Sequence, residues 1–350
     1  MAGDEKRRVL VTGVGGWLGV RVAARLKAHA DVGSLIGVDL DDPPFTIKGM
    51  EFIRADIRSP LIARVLGATK VDTIVHTNIS SSPSRFGGRS QMKENNVIGT
   101  MQLLAAAQRA DHVKKVVVKS STAVYGSGPA EPSLIAEDHA GRVTELSGYG
   151  KDCADAETSA RDFGRRRPDV ELVILRTQNV IGPRASTSMS RYLSLPVVPT
   201  ALGYDPRLQL LHEDDAVRAM SEAAMGDARG IFNIAGEGVV YLGGAIRLLG
   251  KVELPLLAPT AQLTSDLLRR FDLVDFPRDQ LRLVLFGRVV DTRRAAKVLG
   301  FTSEFSTRAC LEDFRRNRAP DEAGRTSRHE SWERELFDYL HRKSMSGSAV

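Results

Sequence analysis

The stretch Val9-Leu-Val-Thr-Gly-Val-Gly-Gly-Trp-Leu-Gly19 runs on through Val20-Arg-Val-Ala-Ala-Arg-Leu26 to Leu35-Ile-Gly-Val-Asp39. It reads as an apolar strand, a glycine-rich turn, a helix, a second strand, and a carboxylate at that strand's end. A strict GxGxxG would need glycine at position 18, where Leu18 stands; Thr12, Gly13, Gly16 and Gly19 form TGxxGxxG instead. Gly13 permits the tight turn out of the strand, Gly16 lets backbone approach a pyrophosphate, and Gly19 lets the helix lie close on the sheet. The helix N-terminus adds unpaired N–H groups and a positive dipole end. Asp39 comes twenty residues after Gly19, where a carboxylate accepts from adenosine ribose hydroxyls and repels a 2′-phosphate. The pattern predicts a dinucleotide site, for NAD rather than NADP.

Strand candidates alternate with helical segments through the first half. Strands are expected at Arg8 to Thr12, Ser34 to Asp39, Glu51 to Arg54, Thr73 to His76, Lys114 to Ser120 and Val170 to Leu175. Helices are expected at Trp17 to His29, Ser90 to Arg109 and Tyr149 to Arg167. Such alternation means an α/β fold, a Rossmann-type doubly wound parallel sheet covered on both faces. Beyond Gly182 the rhythm breaks at Pro196, Pro199 and Pro206. The expected organisation is a dinucleotide-binding domain over 1–181 and a smaller C-terminal α/β substrate-binding domain over 182–342, with a strand near 230–234 returning to the main sheet. The tail 343–350 is expected to be disordered. Ser80 to Gly88 is a long polar loop after a strand's C-terminal end, where ligands sit in open sheets.

The chain of 350 residues is 42% hydrophobic and 26% charged, ordinary values for a folded protein. Its cysteines, Cys153 and Cys310, have no paired spacing, which excludes a disulfide scaffold and a thiolate zinc site and suits a reducing cytoplasm. No metal centre is expected. The charged start, Met1 to Arg8, is unlike a signal peptide, and no apolar run is long enough to span a membrane. A net charge of +6 fits a mixed surface with small anionic ligands; no aromatic-interleaved basic platform for nucleic acid is present.

Further motifs appear in order: Ala55-Asp-Ile-Arg58, Asn96-Val-Ile-Gly-Thr100, Ser120-Ser-Thr-Ala-Val-Tyr-Gly126, Leu175-Arg-Thr-Gln-Asn-Val-Ile-Gly-Pro-Arg184, His212-Glu-Asp-Asp215 and Asp291 to Phe301. With the glycine motif, they make residues 8 to 310 resemble the extended short-chain dehydrogenases/reductases, which include nucleotide-sugar epimerases and dehydratases. The resemblance implies NAD contacts from Thr12, Gly13, Gly16, Trp17, Leu18, Gly19 and Asp39. It implies that Asp56 and Ile57 flank the adenine, and that His76, Thr77 and Asn78, with Asn96 and Ser120, lie about the cofactor. Ser121 matches the hydroxyl that bonds the reacting oxygen, and Tyr149 the catalytic tyrosine. Thr122, Asn179, Arg184 and Arg207 are the expected substrate contacts. A homodimer through the Ser90 to Arg109 and Tyr149 to Arg167 helices is the corresponding partner expectation. For His212, Asp214 and Asp215, capping of the following helix is the expected role.

One position departs from the family's YxxxK motif. Tyr149-Gly-Lys-Asp-Cys153 carries Cys153 where the lysine stands. A free phenol has a pKa of about 10, and each unit of lowering requires roughly 1.4 kcal/mol of preference for phenolate. A thiol on one methylene offers no positive charge, and Lys151, two residues on, faces nearly the other way on a regular helix. Four outcomes stay open: phenolate favoured by the cationic nicotinamide; a push from the helix N-terminus; a proton relay by Lys151, His139 or Asp152; or NAD binding without redox turnover, as in a sensor, scaffold or partner subunit. The first three make the chain an NAD-dependent oxidoreductase, epimerase or dehydratase acting at a carbinol or carbonyl carbon. Only 28 residues separate Pro183 from His212, fewer than sugar-nucleotide members usually carry. Arg184, Arg191 and Arg207 still suit a diphosphate, while Leu254 to Val274 suits an apolar lid or simple core packing. Nucleotide sugars and lipid-like alcohols or ketones are therefore both expected substrate classes.

Overall fold

The computed structural model describes residues 6–139, 146, 148–256 and 278–318. The tail 343–350 and most of the Leu254 to Val274 segment lie outside the described residues. The first half runs β1 (Arg7–Thr12), α1 (Trp17–Lys27), β2 (Val32–Asp39), β3 (Met50–Arg54), α2 (Ile62–Thr69), β4 (Thr73–His76), α3 (Arg89–Lys93), α4 (Thr100–Gln108), β5 (Lys115–Ser121), α5 (Gly148–Arg166) and β6 (Glu171–Thr177). The second runs β7 (Asn179–Ile181), α6 (Ser188–Ser194), β8 (Val197–Ala201), β9 (Arg207–Leu208), β10 (Leu210–His212), α7 (Glu213–Met225) and β11 (Gly230–Ile234). It continues with β12 (Val240–Tyr241), α8 (Leu242–Leu248), β13 (Val252–Leu256), α9 (Arg278–Phe286) and α10 (Thr307–Asn317).

Seven strands form one parallel sheet in the order β3-β2-β1-β4-β5-β6-β11. This is the Rossmann-type doubly wound sheet, extended by a seventh strand that the chain supplies after α7. Strand order reverses between β1 and β4, so a crevice opens at their C-terminal ends, the place where such sheets bind ligands. The central strands are apolar on both faces because helices cover both. One core layer joins Val116, Val118 and Ile174 to Ala156, Ala160 and Phe163 of α5. The other joins Val9, Val11, Val75 and Val117 to Val22 and Leu26 of α1 and Ala216, Ala219 and Met220 of α7. A third cluster, including Tyr192, Leu210, Ile246 and Leu311, packs α6, α8 and α10 around β8 and β10.

The helix expected over Ser90 to Arg109 is interrupted. Between α3 and α4 lies a π-type turn, Glu94–Gly99. A regular helix would turn Asn95 and Asn96 about 100° apart. Here both are buried and both bond the chain that follows β4: Asn95 Nδ2 donates to the Asn78 carbonyl at 2.7 Å, and Asn96 Nδ2 to the Ser80 carbonyl at 2.8 Å. The irregular turn thus fixes the loop that roofs the crevice.

Candidate active site

Gly13 leaves β1 with φ +84°, a left-handed conformation that favours glycine, and a Cβ there would stand 2.8 Å from Thr77 Oγ1. At Gly19 the absent Cβ would fall 2.1 Å from the Gly13 carbonyl oxygen, so only glycine lets α1 approach the turn this closely. Gly16 caps α1 with no side-chain bond to the first-turn N–H groups. Asp39 accepts from the N–H groups of Gly15 at 2.9 Å and Leu40 at 2.7 Å, which fixes a carboxylate beside the glycine turn. Asn78 Oδ1 is buried with no hydrogen-bond partner among the described residues. A backbone cradle, open helix N–H groups, a fixed carboxylate and an orphaned amide oxygen together fit an adenine dinucleotide.

From this cradle a cleft extends along the ends of β4, β5 and β6. Gly13, Gly16, Trp17, Leu18, Gly19 and Thr77 line one end. Lys119, Ser121 and Tyr149 stand at the other, with Gln178, Asn179 and Ser186 to Ser188 beyond. Lys119 and Ser121 are two apart on β5 and therefore share a face, whereas Ser120 takes the opposite one. Its hydroxyl donates to Glu157 at 2.6 Å, away from the cleft.

Tyr149, in the first turn of α5, is buried. Its hydroxyl has Ser121 and Cys153, one turn on, as neighbours that act on its ionisation. Lys119 Nζ donates to the same hydroxyl at 3.2 Å and also to the Ile79 carbonyl. Burial pushes the phenol well above its ordinary range, Cys153 adds to that, and Ser121 opposes it. Burial likewise pushes the Cys153 thiol up to about 12, against the pull of the Lys119 charge, so this side chain is a neutral thiol near pH 7. Lys151 is engaged by Asp155 at 2.8 Å, His139 by Glu131 at 2.8 Å, and Asp152 by both guanidinium nitrogens of Arg89 at 2.8 Å. The relay groups expected from the sequence therefore have other partners. The cation that meets Tyr149 comes from the strand, and sequence reasoning missed it. The signal was available: Lys119 follows Val116-Val-Val118 directly, an ammonium toward the C-terminal end of a central strand, where ligands sit.

The other expected positions have the following surroundings in the protein. His76 does not face the cleft; Thr12 Oγ1 lies 2.7 Å from its Nδ1 and Thr100 Oγ1 2.9 Å from its Nε2, beneath the cradle. Asp56 grips Arg58, with Nη2 at 2.6 Å, and Ile57 packs against Gly99, where a Cβ would meet it at 2.7 Å. Thr122 is buried against Gln178 at 2.7 Å and Arg288 at 3.1 Å, behind the cleft wall. Arg184 is 71% exposed beside Glu213 and does not line the cleft. Arg207 donates to the Ser133 carbonyl at 3.0 Å and lines a separate pocket with Gly126, Pro129 and Arg288. Arg191 is the arginine that reaches the rim, donating to Ser82 at 3.2 Å. The α7 N-cap is His212, whose Nδ1 accepts from the Asp214 N–H at 3.2 Å; Asp215 instead accepts from the Glu304 N–H at 2.9 Å and the Phe305 N–H at 3.0 Å.

A doubly wound sheet with a glycine cradle at its switch point and a serine, a lysine and a tyrosine gathered at the cleft's far end is the arrangement of a dinucleotide-dependent oxidoreductase. The chain belongs to the NAD dependent epimerase/dehydratase family, whose sequence model matches residues 9–235. It is an enzyme of that family, and its cofactor is NAD. Uncharacterised proteins of Mycobacterium tuberculosis and Mycobacterium bovis are 41% identical over 329 residues, covering 93% of this chain and 88% of theirs. Among solved structures, MoeE5 in complex with UDP-glucuronic acid and NAD is 25% identical, with TM-score 0.67 over 88% of this chain and 97% of that one. UDP-glucuronic acid 4-epimerase from Bacillus cereus, in complex with NAD, shares the fold at 19% identity, TM-score 0.66, over 88% of this chain and 97% of its own.

Proposed function

We propose that the protein is an epimerase or dehydratase of nucleotide-linked sugars, with Tyr149 as its acid–base group and Ser121 as the hydroxyl that orients the reacting oxygen. The observation that carries this is that Ser121 and Tyr149 line the far end of one continuous cleft that begins at the glycine cradle, with Lys119 Nζ donating to the Tyr149 hydroxyl at 3.2 Å. NAD, when bound, supplies a site that accepts a hydride from the substrate carbon and returns one. Tyr149 takes the proton from the carbinol oxygen and gives it back, while Ser121 holds that oxygen in line. The lining beyond Tyr149 favours a sugar over a lipid-like substrate: it carries the hydroxyls of Ser80, Ser81, Ser82, Ser186, Thr187 and Ser188. The Ser188 hydroxyl is fully buried and has no partner among the described residues, a group that a substrate oxygen would satisfy. Arg191 at the rim suits a diphosphate.

Replacing Tyr149 by phenylalanine should abolish turnover of UDP- or dTDP-hexoses, lowering kcat by at least about a hundredfold. NAD affinity by calorimetry should stay within about twofold, because the hydroxyl stands at the opposite end of the cleft from the cradle. Turnover at the wild-type rate in Tyr149→Phe would remove the assigned role. A sugar-nucleotide panel without turnover, beside turnover of apolar ketones, would remove the substrate class.

A further inference from the structure

We propose that Lys119 on β5 does for Tyr149 what the lysine of YxxxK does from the helix, and that Cys153 is the compensating half of that exchange. The inference rests on the acid–base role given to Tyr149 and identifies the charge that makes that role workable.

Tyr149 is enclosed, and enclosure alone opposes loss of its proton. A phenol that must act as a base there needs a cation in contact. Among the described residues, the cation hydrogen-bonded to it is Lys119, at 3.2 Å, with the ammonium 5.7 Å from the ring centroid. The strand fixes this arrangement. Lys119 lies two residues before Ser121, so the ammonium and the serine hydroxyl leave β5 on the same face and converge on one oxygen. The Ile79 carbonyl holds Nζ from the roof loop. The other charged or titratable groups about the phenol are Cys153 and Asp152 on α5, with Asp152 countered by Arg89, while His76 on β4 and Glu157 on α5 act one neighbour further out.

Position 153 then has a physical explanation. A lysine there, one helical turn from Tyr149, would bring a second ammonium to the same oxygen, and like charges in one enclosed site oppose each other. A small neutral thiol at that position adds no second charge beside the strand lysine. The two positions hold one cation between them.

The exchange is tested on NAD-saturated protein carrying carbon-13 at the tyrosine ζ position, with Tyr149→Phe assigning the signal. Titration of this signal needs no substrate, so it is separable from failure of the substrate assignment. Lys119→Met should move the Tyr149 ionisation up by at least about one pH unit. The rising limb of kcat/KM should move up with it, since phenolate is the base. Lys119→Arg should retain most of the wild-type position. Lys119→Met combined with Cys153→Lys should return the ionisation toward wild type, whereas Cys153→Lys alone, with two cations, should lower turnover. An unmoved Tyr149 titration in Lys119→Met, or a folded double variant that stays shifted, would overturn the proposal. If Lys119→Met does not fold, the arginine and double variants decide by the same criterion.

Discussion

His76 shows how far one enclosed side chain can bind stability to pH. The Thr100 hydroxyl donates to the Asn96 carbonyl at 2.6 Å, so it accepts from His76 Nε2, and Nδ1 accepts from the Thr12 hydroxyl. The ring is thereby neutral with its proton on Nε2. Burial first, and the Lys119 charge second, push its pKa down to about 3. In the unfolded chain the imidazole takes up a proton below about pH 6.5. Between those values the unfolded state binds more protons, so this contribution is complete above about pH 6.5 and is lost as pH falls. The expected slope is about 1.4 kcal/mol per pH unit at most. Urea melts of the wild type and His76→Gln from neutral pH down to about pH 5 should differ by one proton's slope. Parallel dependences would show that His76 is not the titrating group.

At the scale of elements, β5, α5 and β6 are joined by a buried ion pair. Glu157 on α5 accepts from Arg176 on β6 at 2.9 and 2.7 Å and from Ser120 on β5 at 2.6 Å. Both charged side chains are less than 5% exposed. Glu157→Ala leaves the guanidinium enclosed and should cost about 3–5 kcal/mol in denaturant unfolding. Adding Arg176→Met should recover part of that loss; a cost below about 1 kcal/mol for Glu157→Ala would mean that the pair is solvated. This network also shows where sequence legibility ends. The first six strands of the sheet and helices α1 and α5 were readable within a few residues, because apolar runs and the glycine turn are local signals. So was the place of Ser121 and Tyr149 beside one cleft, which motif spacing fixes. Ser120, Thr122 and His76 were read as site residues, yet they face away from the cleft. Strand alternation decides the direction of Ser120 and His76, Thr122 begins the turn that follows β5, and the partners that hold them, Glu157, Thr100 and Arg288, are distant in sequence. The short helix α2, Ile62–Thr69, is not legible in the sequence because eight residues are too few for an apolar period to stand out. Lys119 was missed because its meaning depends on Tyr149, thirty residues away, arriving at the same place.

The whole molecule raises the question of whether the sequence-expected boundary near residue 182 separates two folding units. The structure supplies contrary ties. β11, the strand expected near 230–234 to return across that boundary, is an edge strand of the main sheet, paired with β6 from Gly230 to Ile234. α7 packs in the same core layer as α1. Arg21 on α1 donates to Glu213 at 2.8 Å, and Glu213 in turn accepts from the Arg184 N–H at 2.9 Å; at Gly182 a Cβ would stand 2.4 Å from the Glu213 side chain. The cleft itself takes lining from both sides, with Gly13 and Tyr149 from one and Asn179 and Ser188 from the other. Elements that share a sheet, a core layer and a ligand should lose structure together. Calorimetry is therefore expected to record one unfolding transition, with equal van't Hoff and calorimetric enthalpies. NAD at about a hundred times its Kd should raise that whole transition by about 2.7 kcal/mol. Two transitions, with NAD moving only the one lost together with β1 and α1, would mean that the segment beyond Gly182 folds independently and that the shared edge strand does not couple the halves.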